Sequence, residues 1–172
     1  MSADRTRKLL IVSKRLVIFA AASLVVAIIL FSISYFGSGR LLITWLSFEC
    51  GIIGGFVSIQ QRLGKIDEDE LSLLSQSWAT ILVIPIYGGI FALVLYVLFL
   101  SGLVRGDLFP VFYMPKFSVP PTTEEIVEML RTTYPSSGPD FAKLVFWTFV
   151  AGFSERLVPQ IIQKVSSTSG GG

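Results

Sequence analysis

Long stretches without charge alternate with short polar breaks along this chain. Residues 16–39 carry no charged side chain, residues 41–61 carry only Glu49, and residues 71–104 again carry none. A helix of about 20 apolar residues crosses a bilayer core of about 30 Å. The pattern predicts a first span over residues 16–36, a second over 41–61 and a third over 78–103. Residues 71–77 hold three serines and Gln76 and read as interfacial. A fourth span is expected over residues 141–158, with Lys143 near its start and Glu155-Arg156 near its end. The expected fold class is all-α: an integral membrane protein with four transmembrane helices.

The segments between spans complete this layout. Residues 1–15 form a basic N-terminus, and residues 16–104 hold spans one to three with a charged loop at 62–77. Residues 105–140 form a polar loop with six of the eight prolines. Residues 141–165 hold the fourth span and its end. Residues 166–172 read as a Ser/Gly linker or tag remnant. Gly37-Ser38-Gly39 marks a tight turn between antiparallel spans. Within the 105–140 loop, Thr122 followed three residues later by Glu125 is a capping box. Ile126, Val127, Leu130 and Tyr134 then recur on one helical face. A short amphipathic helix over 123–133 is predicted, stopped by Pro135.

Composition agrees with a membrane location. The chain is 52% hydrophobic and 15% charged, against about 25% charged in soluble domains. Its mean hydropathy is +0.71. A secretory signal has an apolar core of only about 7–15 residues, so the first run is read as an uncleaved span. Histidine is absent, which removes imidazole catalysis, ligation and pH sensing. The single cysteine, Cys50, excludes an intrachain disulfide or a CxxC site. Arg5, Arg7, Lys8, Lys14, Arg15, Arg62, Lys65, Arg156 and Lys164 fall on one side of the predicted spans. By the positive-inside rule both termini are cytoplasmic and the 105–140 loop is extracytoplasmic.

Several positions stand out. In the second span Ser47/Gly51, Gly51/Gly55 and Gly54/Ser58 are small-xxx-small pairs, which let helix backbones approach closely where lipid supplies no hydrophobic drive. They serve packing within one chain or an interface between subunits. Glu49 lies about 12 Å below the outer end of its span. A carboxylate there is costly unless paired, protonated or wetted. It either bonds a neighbouring hydroxyl or lines a polar pathway with Gln60. Pro85, Gly88 and Gly89 are expected to kink the third span. Arg62 and Glu155 are expected to form an ion pair near the cytoplasmic face, with Arg156 beside it and with Ser58 and Gly152 letting the helices touch. Phe112, Tyr113, Ile126 and Leu130 mark an external surface that rests on the membrane or meets a partner. Asp67-Glu68-Asp69-Glu70 lacks calcium-loop spacing and reads as an acidic helix start. The sequence contains no GxSxG, Walker, HExxH or GxGxxG motif. No cofactor, no metal, no enzymatic activity and no direct nucleic-acid binding are expected.

Two segments carry a resemblance. Gly51-Ile52-Ile53-Gly54-Gly55-Phe56-Val57-Ser58 through Arg62-Leu63, and Ala151-Gly152-Phe153-Ser154-Glu155-Arg156, are similar to a motif pair in poorly characterised bacterial membrane proteins. That resemblance implies an inner-membrane location and pairs Arg62 with Glu155; it implies no activity. By size and layout alone the chain also resembles the membrane subunit family (KwaA) of the Kiwa anti-phage system. That likeness implies a membrane sensor working with a cytoplasmic nucleic-acid-binding effector.

The functional expectation is a non-enzymatic, homo-oligomeric (such as tetrameric) sensor or scaffold of the bacterial inner membrane. It would couple an envelope event to a cytoplasmic protein, in a setting such as antiviral defence. The alternative from another class is an ion channel or pore-forming effector.

Overall fold

The computed structural model describes residues 3–36 and 42–154. The elements in order are α1 (Ala3–Phe36), α2 (Leu42–Arg62), a 3-10 turn (Leu63–Lys65), α3 (Glu68–Gln76) and α4 (Trp78–Leu100). β1 (Phe112–Tyr113), α5 (Thr123–Thr132), β2 (Tyr134–Pro135) and α6 (Gly138–Phe153) follow. Three of these helices, α1, α2 and α4, are long and apolar enough to cross a membrane. The described part of α6 has 16 residues, about 24 Å of helix. It ends at Phe153, so the remainder of the expected fourth span lies outside the described residues.

Helix α2 is the hub and packs against α1, α4 and α6. Contacts between Ser13 and Gln60 and between Ser23 and Glu49 set α1 antiparallel to α2. Gly51 against Gly88 and Gly55 against Pro85 set α2 antiparallel to α4. Two apolar clusters fill the bundle. One joins Val12, Leu16, Phe56, Ile59, Leu71, Leu74 and Ile81; the other joins Ala92, Leu95, Tyr96, Phe99, Leu144 and Ala151. The glycine crossings lie between them.

Helix α1 is peripheral. Only 6% of its most apolar stretch is buried, against 44% for α2 and 39% for α4. Its outward face carries Leu24, Val25, Ile28, Ile29 and Phe31. With 34 residues it is about 51 Å long, well beyond a bilayer core. The excess is the basic segment, which is helical rather than a separate tail. Arg5 donates to the Ile66 carbonyl at 3.0 Å and pairs with Glu68 at 3.5 Å, while Arg15 donates to the Ser75 carbonyl at 2.8 Å. The Arg15 guanidinium also lies 4.6 Å from the Trp78 ring centre. The interfacial residues 71–77 belong largely to α3, which buries Leu71 and Leu74 against this cluster. Its first turn carries Glu68, Asp69 and Glu70 at the positive end of the helix dipole.

The all-α expectation needs one correction. The chain is mostly helical, but Phe112 pairs with Pro135 and Tyr113 with Tyr134 in a two-residue antiparallel ladder. The ladder closes the loop that holds α5, and backbone pairing there satisfies groups that a bare loop would leave to water. The expected third span, α4, ends at Leu100 rather than 103. Gly102 takes φ +69, a left-handed conformation that stops a helix at little cost for glycine. The capping box is present: Glu125 N–H donates to Thr122 Oγ1 at 3.3 Å, and Thr122 N–H donates to Glu125 Oε2 at 2.8 Å.

Candidate functional site

The small residues of α2 meet the other helices of the same chain. A Cβ added to Gly51 would lie 2.9 Å from the Gly89 Cα, and one on Gly55 would lie 2.6 Å from the Pro85 Cα. One on Gly54 would lie 2.7 Å from the Phe153 nitrogen, and one on Gly152 would lie 2.7 Å from the Gly51 Cα. These distances leave no room for a methyl group. Gly51, Gly88 and Gly152 therefore form a three-helix crossing in which backbones touch. Ser47 is buried and donates to the Ile43 carbonyl at 2.9 Å. Ser58 is also buried, and Gly51 and Gly54 approach the α6 backbone closely. The glycine face is thus occupied within one chain.

Pro85, Gly88 and Gly89 are contact positions. Helix α4 runs unbroken through Pro85. All three residues are where α2 presses on α4: Gly55 on Pro85, Gly51 on Gly88 and Phe48 on Gly89. Cys50 is buried in the same interface and faces Thr148 of α6.

The opposite face of α2 carries the polar groups. Ser23 Oγ donates to Glu49 Oε2 at 2.7 Å. Gln60 Nε2 donates to Ser13 Oγ at 3.5 Å. Phe19 stacks on Phe56 between them, with ring centres 6.2 Å apart. Glu49, Phe56 and Gln60 therefore form the seat of α1. Of the two outcomes open for Glu49, the hydroxyl partner is present. Arg62 is exposed at the end of α2. Its expected partner Glu155, and Arg156, lie outside the described residues.

At the far end of α4, the 101–137 segment is pinned to the bundle. Trp147 Nε1 donates to the Leu108 carbonyl at 2.8 Å. Ser137 caps α6, its Oγ accepting from the Asp140 N–H at 3.2 Å, and Asp140 Oδ1 accepts from the Val111 N–H at 3.2 Å. The Ser137 hydroxyl, the Val111 amide and Lys143 hold the Asp140 carboxyl below the usual carboxylate range, against the opposing effect of burial. Glu125 is held low chiefly by the Thr122 N–H and then by Ser118. Of the expected external surface, Tyr113 and Ile126 are exposed. The Leu130 side chain lies outside the described residues. Phe112 departs from the expectation: it is half-buried, its ring centre 5.7 Å from that of Tyr96, and it packs against the core. Strand alternation puts adjacent aromatics on opposite faces, so Phe112 and Tyr113 cannot both point outward.

Sequence reasoning missed three features. The first is the docking of the α1 start on α3. The second is Asp140, a single acid at a helix start with Ser137 three residues earlier. That spacing is a cap signal and was legible. The third is the role of Ser13 and Ser23 as partners of α2, which no spacing on α1 reveals. No protein-family model, curated protein or solved structure matches the chain.

Proposed function

We propose that this chain is a non-enzymatic sensor or scaffold of the bacterial inner membrane. It would cross the bilayer four times, with α6 continuing as the fourth span and both termini in the cytoplasm. The observation that carries the reading is the link between two packed end structures. The start of α1 with α3 builds one at the Trp78 end of α4, and the 101–137 segment builds the other beyond Leu100. Between them runs the backbone-to-backbone crossing of α2, α4 and α6. Displacing the outer segment would press on Leu144 and α6, and through Gly152 and Gly88 on the helices that carry the inner cap. Tightly packed helices shift as bodies rather than deform smoothly. Homo-oligomer formation and a cytoplasmic protein partner are parts of the proposal, and the layout likeness to the Kiwa membrane subunit supplies antiviral defence as its setting.

The channel reading is less favoured because its two polar side chains, Glu49 and Gln60, face α1 and are hydrogen-bonded there. The test is affinity purification in mild detergent from cells carrying the native gene neighbourhood, read by mass spectrometry. A stoichiometric soluble partner is expected. Recovery of a homo-oligomer alone, conducting ions in proteoliposomes, would overturn the sensor reading in favour of a channel.

A further inference from the structure

A cavity of about 340 Å³ opens just beyond the end of α4. Phe99, Val104, Phe112 and Met114 give it apolar walls, and Arg105 is the charged residue among its lining. Two features show that the backbone there is arranged around this arginine. Gly102 at φ +69 and Gly106 at φ +140 flank it, and they are the positive-φ residues of the described chain. The Arg105 guanidinium also lies across Gly102, with Cζ 2.9 Å from where a Cβ would stand. Among the described residues Arg105 forms no ion pair or hydrogen bond, and it is exposed; a guanidinium carries five N–H donors. Val97 of α4 and Leu103, three residues past its end, are exposed apolar side chains at this end of a membrane-length helix. In the membrane reading the cavity sits where lipid headgroups begin.

We infer that this cavity binds an anionic glycerophospholipid, its phosphate on Arg105 and the start of its acyl chains against the apolar walls at Phe99 and Val104. A guanidinium matches the geometry of phosphate oxygens with two parallel hydrogen bonds. The apolar walls favour a lipid over a free anion, which would leave them wet. The inference rests on the membrane reading, and the test separates the two. Resistance to alkaline carbonate extraction checks the membrane reading; a chain released by carbonate fails it, whatever the cavity does.

The site itself is tested by native mass spectrometry of the full chain in detergent, with phosphatidylglycerol, phosphatidylcholine or inorganic phosphate added. Phosphatidylglycerol is expected to be retained in preference to phosphatidylcholine. Arg105→Gln should weaken that retention about tenfold, the loss of one charge-assisted contact. Lys116→Gln, an exposed charge in the same segment, should leave it unchanged. Gly102→Ala keeps the charge but displaces the guanidinium, and should also weaken retention; circular dichroism confirms that each variant folds. Equal retention of the two lipids, full competition by inorganic phosphate, or a folded Arg105→Gln chain that binds like the parent would overturn the inference.

Discussion

Single side chains decide how closely this bundle packs. Gly54 and Gly152 sit against backbone, so a methyl group at either forces two helices apart. Gly54→Ala and Gly152→Ala are each expected to cost about 1–3 kcal/mol, the usual penalty for overpacking. Gly64 has nothing within 4 Å of an added Cβ. Gly64→Ala should therefore be neutral or stabilise by about 0.4–1 kcal/mol through the unfolded chain. Thermal unfolding in detergent compares the three. At the α1–α2 contact, Ser23→Ala removes the donor to Glu49 and should cost about 1 kcal/mol, in the range of hydrogen bonds between membrane helices. Glu49→Gln retains an acceptor for Ser23 and should cost less in the same assay. The small residues and Glu49 were legible from residue type alone. Their partners were not, because spacing along one helix defines a face but says nothing of what covers it.

At the scale of elements, the loop beyond α4 is held by acids whose charge is stabilised in the fold. Asp140 and Glu125 both titrate below their ordinary values. A lowered folded value contributes stability that is present above the ordinary carboxylate range, near about 4, and is lost as pH falls through the lowered value. Protection of the Val111 amide from deuterium exchange, taken relative to the intrinsic rate at each pH, is therefore expected to fall on acidification below that range. In Asp140→Asn the protection should be lower at neutral pH and lose the acid response. The capping box of α5 and the acidic start of α3 were readable because both are local signals, satisfied within one turn of helix. The β1–β2 pair was not. Its strands are two residues long, and their pairing depends on where α5 and α6 bring the chain back.

Across the whole molecule, the apolar surface divides into two kinds. The face of α2 that meets α4 and α6 is closed, whereas most of α1 is open. In the proposed membrane setting such a face is buried against lipid. The proposed topology puts residue 64 and residue 119 on opposite sides of the membrane. Both are accessible: Gly64 is exposed, and Val119 is 99% exposed. Single cysteines at these positions should react with a membrane-impermeant maleimide from opposite sides in oriented vesicles, with buried Cys50 silent. Labelling of both from one side would remove α4 as a span.

The sequence by itself determined three long apolar helices, the approximate ends of α2, α4 and α5, and the positions able to pack closely. Each of these follows from local periodicity, from uncharged length or from backbone sterics within a few residues. Tertiary structure alone decided that the glycine face closes on α4 and α6 of the same chain and that Glu49 bonds Ser23. It likewise decided that Phe112 packs against the core and that Arg105 lies across Gly102 at the mouth of a cavity. Apart from the local contact of Arg105 with Gly102, those outcomes depend on contacts between residues far apart in the chain, and a helical repeat specifies which face is apolar without specifying its partner.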